Sequence, residues 1–391
     1  MSEKSEKTAV KFIFLLGIVS LFSDITYEGA RSATGPFLGL LGASGAVVGL
    51  VAGIGEFIGY GLRLVSGYLA DCTAKYWLFT GLGYSINLLA VPALALAGNW
   101  QVAALLIVME RLGKAIRTPA RDAMLSHAAS RIGRGWGFAL HEAMDQIGAV
   151  AGPLIVSAVV FVKDDFRSGF AALLLPAMAA LGVLVVARIN FPQPRELEDI
   201  TELKSKNKGL PRLFWLYTVF TALTVTGFAH FQLISYHLKD KTVIPDVYIP
   251  IFFSIAMGVD VLVALLAGKL YDRIGVITLV AVPFLTIPIP LLVFTSSYSF
   301  VLMGIVLWGA VMGIQETIMR ACVADMVCAD LRGTAFGIFN TAFGISWFLG
   351  SAIMGIFYDF STAYIKIFAV LTQLVALIFF VFLRSEIRME K

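Results

Sequence analysis

Stretches of about 20 mostly apolar residues follow one another along nearly the whole 391-residue chain, with only short polar breaks between them. At 1.5 Å per residue, such a stretch is one helical crossing of a bilayer. The sequence predicts twelve of these spans. Six lie at about 12–34, 46–70, 76–98, 101–122, 135–161 and 168–188, and six at about 213–237, 248–270, 275–296, 299–323, 333–357 and 363–384. Composition agrees. The chain is 59% hydrophobic and 14% charged, where a soluble protein carries about 25% charged residues.

One polar, proline-flanked segment, "NFPQPRELEDITELKSKNKGLPR" from Asn190 to Arg212, interrupts the pattern. It divides the chain into a six-helix half (1–189), a cytoplasmic linker (190–212) and a second six-helix half (213–391). With the N-terminus placed inside, roughly 18 Lys and Arg fall in cytoplasmic segments and about 5 outside, so both termini are expected in the cytoplasm. The expected fold is an all-α polytopic membrane protein of two pseudo-symmetric bundles, working as a monomer in a cytoplasmic membrane. The opening "MSEKSEK" is mixed in charge, and no small-residue cleavage site follows it, so the first span is read as retained. The net charge of +4 is read as topology, because no basic run is interleaved with aromatics as a nucleic-acid surface would be. The three cysteines, Cys72, Cys322 and Cys328, have neither metal spacing nor an even count.

The halves repeat one another. "GYLAD" (Gly67–Asp71) after the second span matches "GKLYDRIG" (Gly268–Gly275) after the eighth. Arg134-Gly135 aligns with Arg332-Gly333, and in that register Gly152 falls on Gly350. Parallel repeats suit a transporter with a central site.

These residues resemble the major facilitator superfamily over essentially the whole chain. Its G-x-x-x-D-R-x-G-R loop, a cytoplasmic latch in that family, is largely kept by Gly268, Asp272, Arg273 and Gly275. The first copy keeps Gly67 and Asp71 but has Cys72 in place of the arginine. "ERLGKAIRTPARD" in the fourth span resembles the family's R-x-x-x-G motif, with Arg111 in the key place. "GAVAGP" (Gly148, Gly152, Pro153) resembles the glycine-proline motif of its proton-driven exporters. The resemblance implies that spans one and four face a central cavity. Residue chemistry adds that small residues let helices pack backbone to backbone, and that proline kinks a span.

Charge within hydrocarbon costs at least about 2.5–3.5 kcal/mol per group, so each such group needs a cavity or a partner. Asp24 lies roughly 18 Å along the first span. Arg111, Asp145 and Glu56 are expected at similar mid-depth. Glu110, Lys114, Arg117 and Arg121 form one stripe at intervals of four, three and four, as do Asp24, Glu28 and Arg31. His141, Glu142 and Asp145 share a turn. The candidate proton-coupling and cavity residues are therefore Asp24, Glu28, Glu56, Arg111, Lys114, His141, Glu142 and Asp145, with Asp260 in the second half. Arg121 and the latch residues are read as structural, as is the pair Glu316 and Arg320. Span seven, "TALTVTGFAHFQLISYH", offers His230, Gln232 and Tyr236 amid aromatics, and with Arg117 these are the substrate-contact candidates. Pro36 is expected to end the first helix.

The function read from these features is a proton-coupled transporter exporting a small organic or amphipathic compound. Its partners are that solute, protons and the lipid bilayer. The alternatives are a symporter or exchanger of an anionic solute, with Lys114, Arg117 and Arg121 as the binding stripe, and a divalent metal-ion carrier using Asp24, Glu28, His141 and Asp145. A sensor would want a soluble appendage. An enzyme would want a nucleophile–base pair, a nucleotide loop or a metal motif. No cofactor is expected.

Overall fold

A computed structural model describes residues 3–129, 134–193, 209–327 and 332–390, and no strand occurs among them. The first half contributes α1 (Glu3–Leu40), α2 (Gly45–Thr73), α3 (Tyr76–Ala93), α4 (Trp100–Ala129), α5 (Arg134–Lys163), α6 (Phe166–Ala172) and α7 (Leu174–Asn190). The second contributes α8 (Arg212–Thr226), α9 (Phe231–Asp240), α10 (Tyr248–Ile274), α11 (Ala281–Thr286), α12 (Pro288–Val293), α13 (Tyr298–Met326), α14 (Arg332–Phe360) and α15 (Thr362–Glu390). Among the described residues, eleven helical segments are long and apolar enough to cross a membrane. The protein is an integral, multi-pass membrane protein. The remaining expected span is α4, whose 30 residues give it the length, but Glu110, Arg111, Lys114, Arg117 and Arg121 leave it too charged to qualify by hydropathy.

Several expectations about continuity change. α1 does not stop at Pro36, which sits inside a helix running on to Leu40. Proline has no N–H to give the carbonyl one turn back, so the helix runs through Pro36 with one backbone hydrogen bond missing, and beyond it Phe37 and Leu38 are buried. Span seven is two helices, α8 and α9, parted at residues 227–230. Spans six and nine are also assembled from shorter helical pieces.

The chain forms two compact units. One comprises Met1–Ala33 with Leu62–Leu203; the other comprises Thr34–Gly61 with Lys204–Lys391. The tip of the α1–α2 hairpin thus belongs with the C-terminal helices.

In the first unit, Phe12, Leu16, Trp77, Tyr84, Leu88, Met124 and Leu184 meet in a buried core shared by α1, α3, α4 and α7. Trp77 Nε1 donates to Phe191 O at 2.9 Å, tying the start of α3 to the end of α7. α3 and α4 touch at backbone distance: a Cβ at Gly83 would lie 2.6 Å from Arg117 N, and one at Gly113 2.4 Å from Asn87 N.

In the second unit, Trp308 is fully buried and packs on Phe228 and Phe231 at 5.4 and 5.5 Å. The hairpin tip is held by hydrogen bonds. Asp359 accepts from Gly45 N and Ala46 N at 2.8 and 3.0 Å, satisfying the start of α2, and Gln232 Nε2 donates to Thr34 Oγ1 at 2.8 Å.

The repeat reappears as matched contacts. A Cβ on Gly152 of α5 would stand 2.3 Å from Ile25 O of α1, and one on Gly350 of α14 would stand 2.2 Å from Thr226 O of α8. The latch glycines also correspond. Gly67 of α2 faces Pro119 of α4, and Gly268 of α10 faces Thr317 of α13. The side chains of Asp71, Asp272 and Arg320 lie outside the described residues. Arg273 and Cys72 are exposed.

Candidate functional site

The first unit gathers charge. Gly148 and Gly152 bring α5 against α1 with no side chain between them. A Cβ at Gly148 would fall 2.4 Å from Leu21 O and 2.8 Å from Asp24 Cβ. That approach puts Asp145, one turn before Gly148, within electrostatic range of Asp24, together with Glu28, Lys114 and Arg117. Asp24 and Glu28 are each 6% exposed and Arg117 1%.

Two tyrosines organise the cations. Lys114 Nζ lies 4.1 Å from the Tyr27 ring centre, and the Arg117 guanidinium lies 4.3 Å from that of Tyr84. A cation over a ring face gains about 2 kcal/mol or more when desolvated. Arg111 pairs with Glu110 at 3.1 Å, and Asn87 Nδ2 donates to Glu110 Oε1 at 2.8 Å. His141 Nδ1 is 3.4 Å from Asp145 Oδ2, and Arg31 is 3.5 Å from Glu28. Arg121 pairs with Asp122 at 2.7 Å and donates to Ser20 Oγ at 3.3 Å. Glu142 stands apart. It is exposed and accepts from Gln146.

The second unit gathers aromatics around the break in span seven. A break inside a membrane leaves backbone groups that need partners, and side chains supply several. Trp308 Nε1 donates to Ala229 O at 2.9 Å, and Gln373 Nε2 donates to Thr224 O at 2.8 Å. His230 Nδ1 accepts from Gln232 N at 3.2 Å, capping α9. With Nδ1 accepting, the imidazole proton sits on Nε2, which faces Glu56 Oε1 at 3.2 Å. Both groups are buried, at 1% and 3% exposed. Of the other candidates here, Tyr236 packs against Tyr358 at 5.3 Å, and Asp260 lies against Gly313 of α13. Among the described residues, no group of three His, Cys, Asp or Glu is placed to hold a metal ion.

One turn past Glu56, Tyr60 joins Phe343 at 4.9 Å and Trp347 at 6.3 Å. They border a pocket with Gln315. None of these four residues stood out from the sequence. The usable signal was Gln315, a polar residue inside the apolar run "VLWGAVMGIQ". Tyr27 and Tyr84, the cation platforms, carried no such mark.

A family model described as the Major Facilitator Superfamily matches residues 16–351 and 254–389. The chain belongs to the major facilitator superfamily.

An uncharacterised protein of Mycobacterium tuberculosis is 42% identical to this superfamily member over 377 residues, covering 95% of this chain and 92% of its own. An uncharacterised MFS-type transporter of Methanocaldococcus jannaschii is 26% identical over 372 residues, covering 92% of each. Among solved structures, a variant of the nucleoside transporter NupG superposes with a TM-score of 0.77 at 13% identity, covering 94% of this chain and 100% of its own. A POT family transporter in complex with 5-aminolevulinic acid superposes at 0.76 and 12%, covering 95% and 96%. At such identities the likeness is one of fold. As a member of the superfamily, the protein is a secondary transporter and not an enzyme. Within it, "GAVAGP" is the surface that presses α5 onto α1 beside Asp24, and the Arg111 motif lies on α4, beside Glu110, Lys114 and Arg117.

Proposed function

We propose that this superfamily member is a proton-coupled secondary transporter, working by alternating access and exporting a small organic or amphipathic compound. In this reading α4 is the twelfth span, both termini are cytoplasmic, and the protein acts as a monomer in a cytoplasmic membrane. The supporting observation is the setting of Asp24. It is buried, its Oδ1 has no hydrogen-bond partner among the described residues, and its cationic neighbours Lys114 and Arg117 stand on another helix. A buried carboxylate is held by such cations when ionised and freed from them when neutral. Proton arrival therefore alters how firmly α1 is tied to α4, which is what coupling to a conformational change requires. Glu56, facing neutral His230, is a second carboxylate that can take a proton.

The test is solute efflux from vesicles with an imposed pH gradient. If collapsing the gradient leaves the flux unchanged, proton coupling is wrong.

A second reading, exchange of an anionic solute, draws on Arg117. Its Nε and Nη1 are buried without a hydrogen-bond partner among the described residues, on the same stripe as Lys114 and Arg121. A charge reversal at Arg117 that abolishes binding of an organic anion but not folding would favour it.

A further inference from the structure

We infer that the pocket beside Tyr60 is a subsite for a flat heteroaromatic group that both donates and accepts hydrogen bonds. The inference rests on the reading of the protein as a carrier of a small organic solute. It deepens that reading by naming the part of the solute held here.

The first observation is unmet polarity. Gln315 is 3% exposed, and both atoms of its amide lack a hydrogen-bond partner among the described residues. Trp347 is 1% exposed, and its indole N–H lacks one as well. Both residues line the pocket. An unsatisfied buried group costs about 1–3 kcal/mol. Two side chains bearing such groups in one pocket define a complementary occupant, one that accepts from the indole or the amide N–H and donates to the amide oxygen.

The second observation is the shape of the walls. Tyr60 and Trp347 are near-parallel, with an interplanar angle of 29° at 6.3 Å, and Phe343 meets Trp347 edge-on at 5.3 Å. Aromatic faces arranged in this way suit a flat ring inserted against them. Met312 and Met319 form part of the lining. Their unbranched thioether chains repack at little cost. Such adaptability is needed, because the cavity is only about 20 Å³, room for a single water. The walls must part to admit a ring.

The experiment uses the full-length protein in lipid nanodiscs without a pH gradient, so it does not depend on coupling. Binding of 2-aminoquinoline and nicotinamide is read by quenching of tryptophan fluorescence and by calorimetry, with benzoate and cyclohexanecarboxamide as comparisons. The expected result is that at least one of the two heteroaromatics binds, and more tightly than both comparison compounds. Gln315→Leu should weaken that binding by about tenfold or more, because the amide that recognises it is gone. Trp347→Phe should weaken it similarly and remove most of the quenching. Gln315→Met, retaining volume and melting temperature, serves if the leucine variant misfolds. Failure of both heteroaromatics to bind, equal binding of benzoate, or affinity within twofold of the parent in the folded variants overturns the subsite. Gradient-independent flux with this binding intact would refute proton coupling and leave the subsite standing.

Discussion

The two units use one packing device and fill it with different chemistry. In each, a glycine of the fifth span of its half lies on a carbonyl of the first span: Gly152 on Ile25 O, and Gly350 on Thr226 O. Around the first contact stand Asp24, Asp145, Lys114 and Arg117. Near the second runs the span-seven break, lined by Phe228, Trp308 and Trp347. The repeat therefore preserves backbone approach, which sterics impose on both halves alike. Side-chain chemistry around that approach is free to diverge. One unit specialises in charge, the other in aromatic surface with the buried Glu56–His230 pair. On the reading proposed above, the proton and the organic solute would be handled in different units.

The largest effect comes from breaking the shared device. Gly152→Leu and Gly350→Leu should each destabilise by about 3 kcal/mol or more, since neither carbonyl can withdraw from its helix. Gly182→Leu, with nothing within 4 Å of a new Cβ, should leave the melting temperature of the detergent-solubilised protein nearly unchanged. Equal tolerance at all three positions would mean that the matched contact is not what holds each half together internally.

Next comes the division of labour. Asp24→Asn should lower gradient-driven flux by about a hundredfold, within the range of lost proton-transfer groups, while solute binding stays within threefold of the parent. Glu56→Gln should lower flux less, by about tenfold, because His230 can still donate to the amide oxygen. The reverse order would move coupling from the charged unit to the aromatic one.

The smallest effects sharpen the comparison at two helix caps. His230→Ala removes the bond to Gln232 N and should cost about 1 kcal/mol, with His230→Asn recovering most of it. Asp165, between α5 and α6, accepts from Arg167 N and Ser168 N at 3.0 and 2.9 Å. Partial burial acts to raise its carboxyl, but these hydrogen bonds outweigh burial and hold it below the usual carboxylate range. A depressed folded-state value means that the stabilisation is complete above the unfolded value of about 3.9 and is lost as pH falls through the folded one. Asp165→Ala should therefore lower the melting temperature by a few degrees at neutral pH. Its deficit relative to the parent should shrink as the pH approaches 3. A deficit that does not change with pH would assign the effect to something other than the ionised cap.

Much of this was legible in the residues alone. Span length and apolarity are local quantities, summed over neighbours in sequence, so the helices and the two-half repeat followed directly. Helical periodicity fixes which residues share a face, and depth counting set Asp24, Arg111, Asp145 and Glu56 at one level of the first half; it could not foresee that Glu56 would belong to the second unit and face His230, or that Arg111 would pair with Glu110. Other features depended on residues far apart in the chain. α8 and α9 part where Trp308 and Gln373, some 80 and 150 positions away, satisfy the freed backbone, and no local pattern carries that information. Pro36 failed to end α1 because Phe37 and Leu38 beyond it are buried, and that packing outweighs the one helical hydrogen bond a proline removes. The hairpin tip of residues 34–61 joined the C-terminal unit through contacts with Gln232, Ser351 and Asp359. The Tyr60–Gln315–Trp347 pocket exists only because three helices distant in sequence converge. A sequence determines what each helix can present to its surroundings; which surfaces meet is decided by packing, where a gap or a clash of an ångström outweighs any local preference.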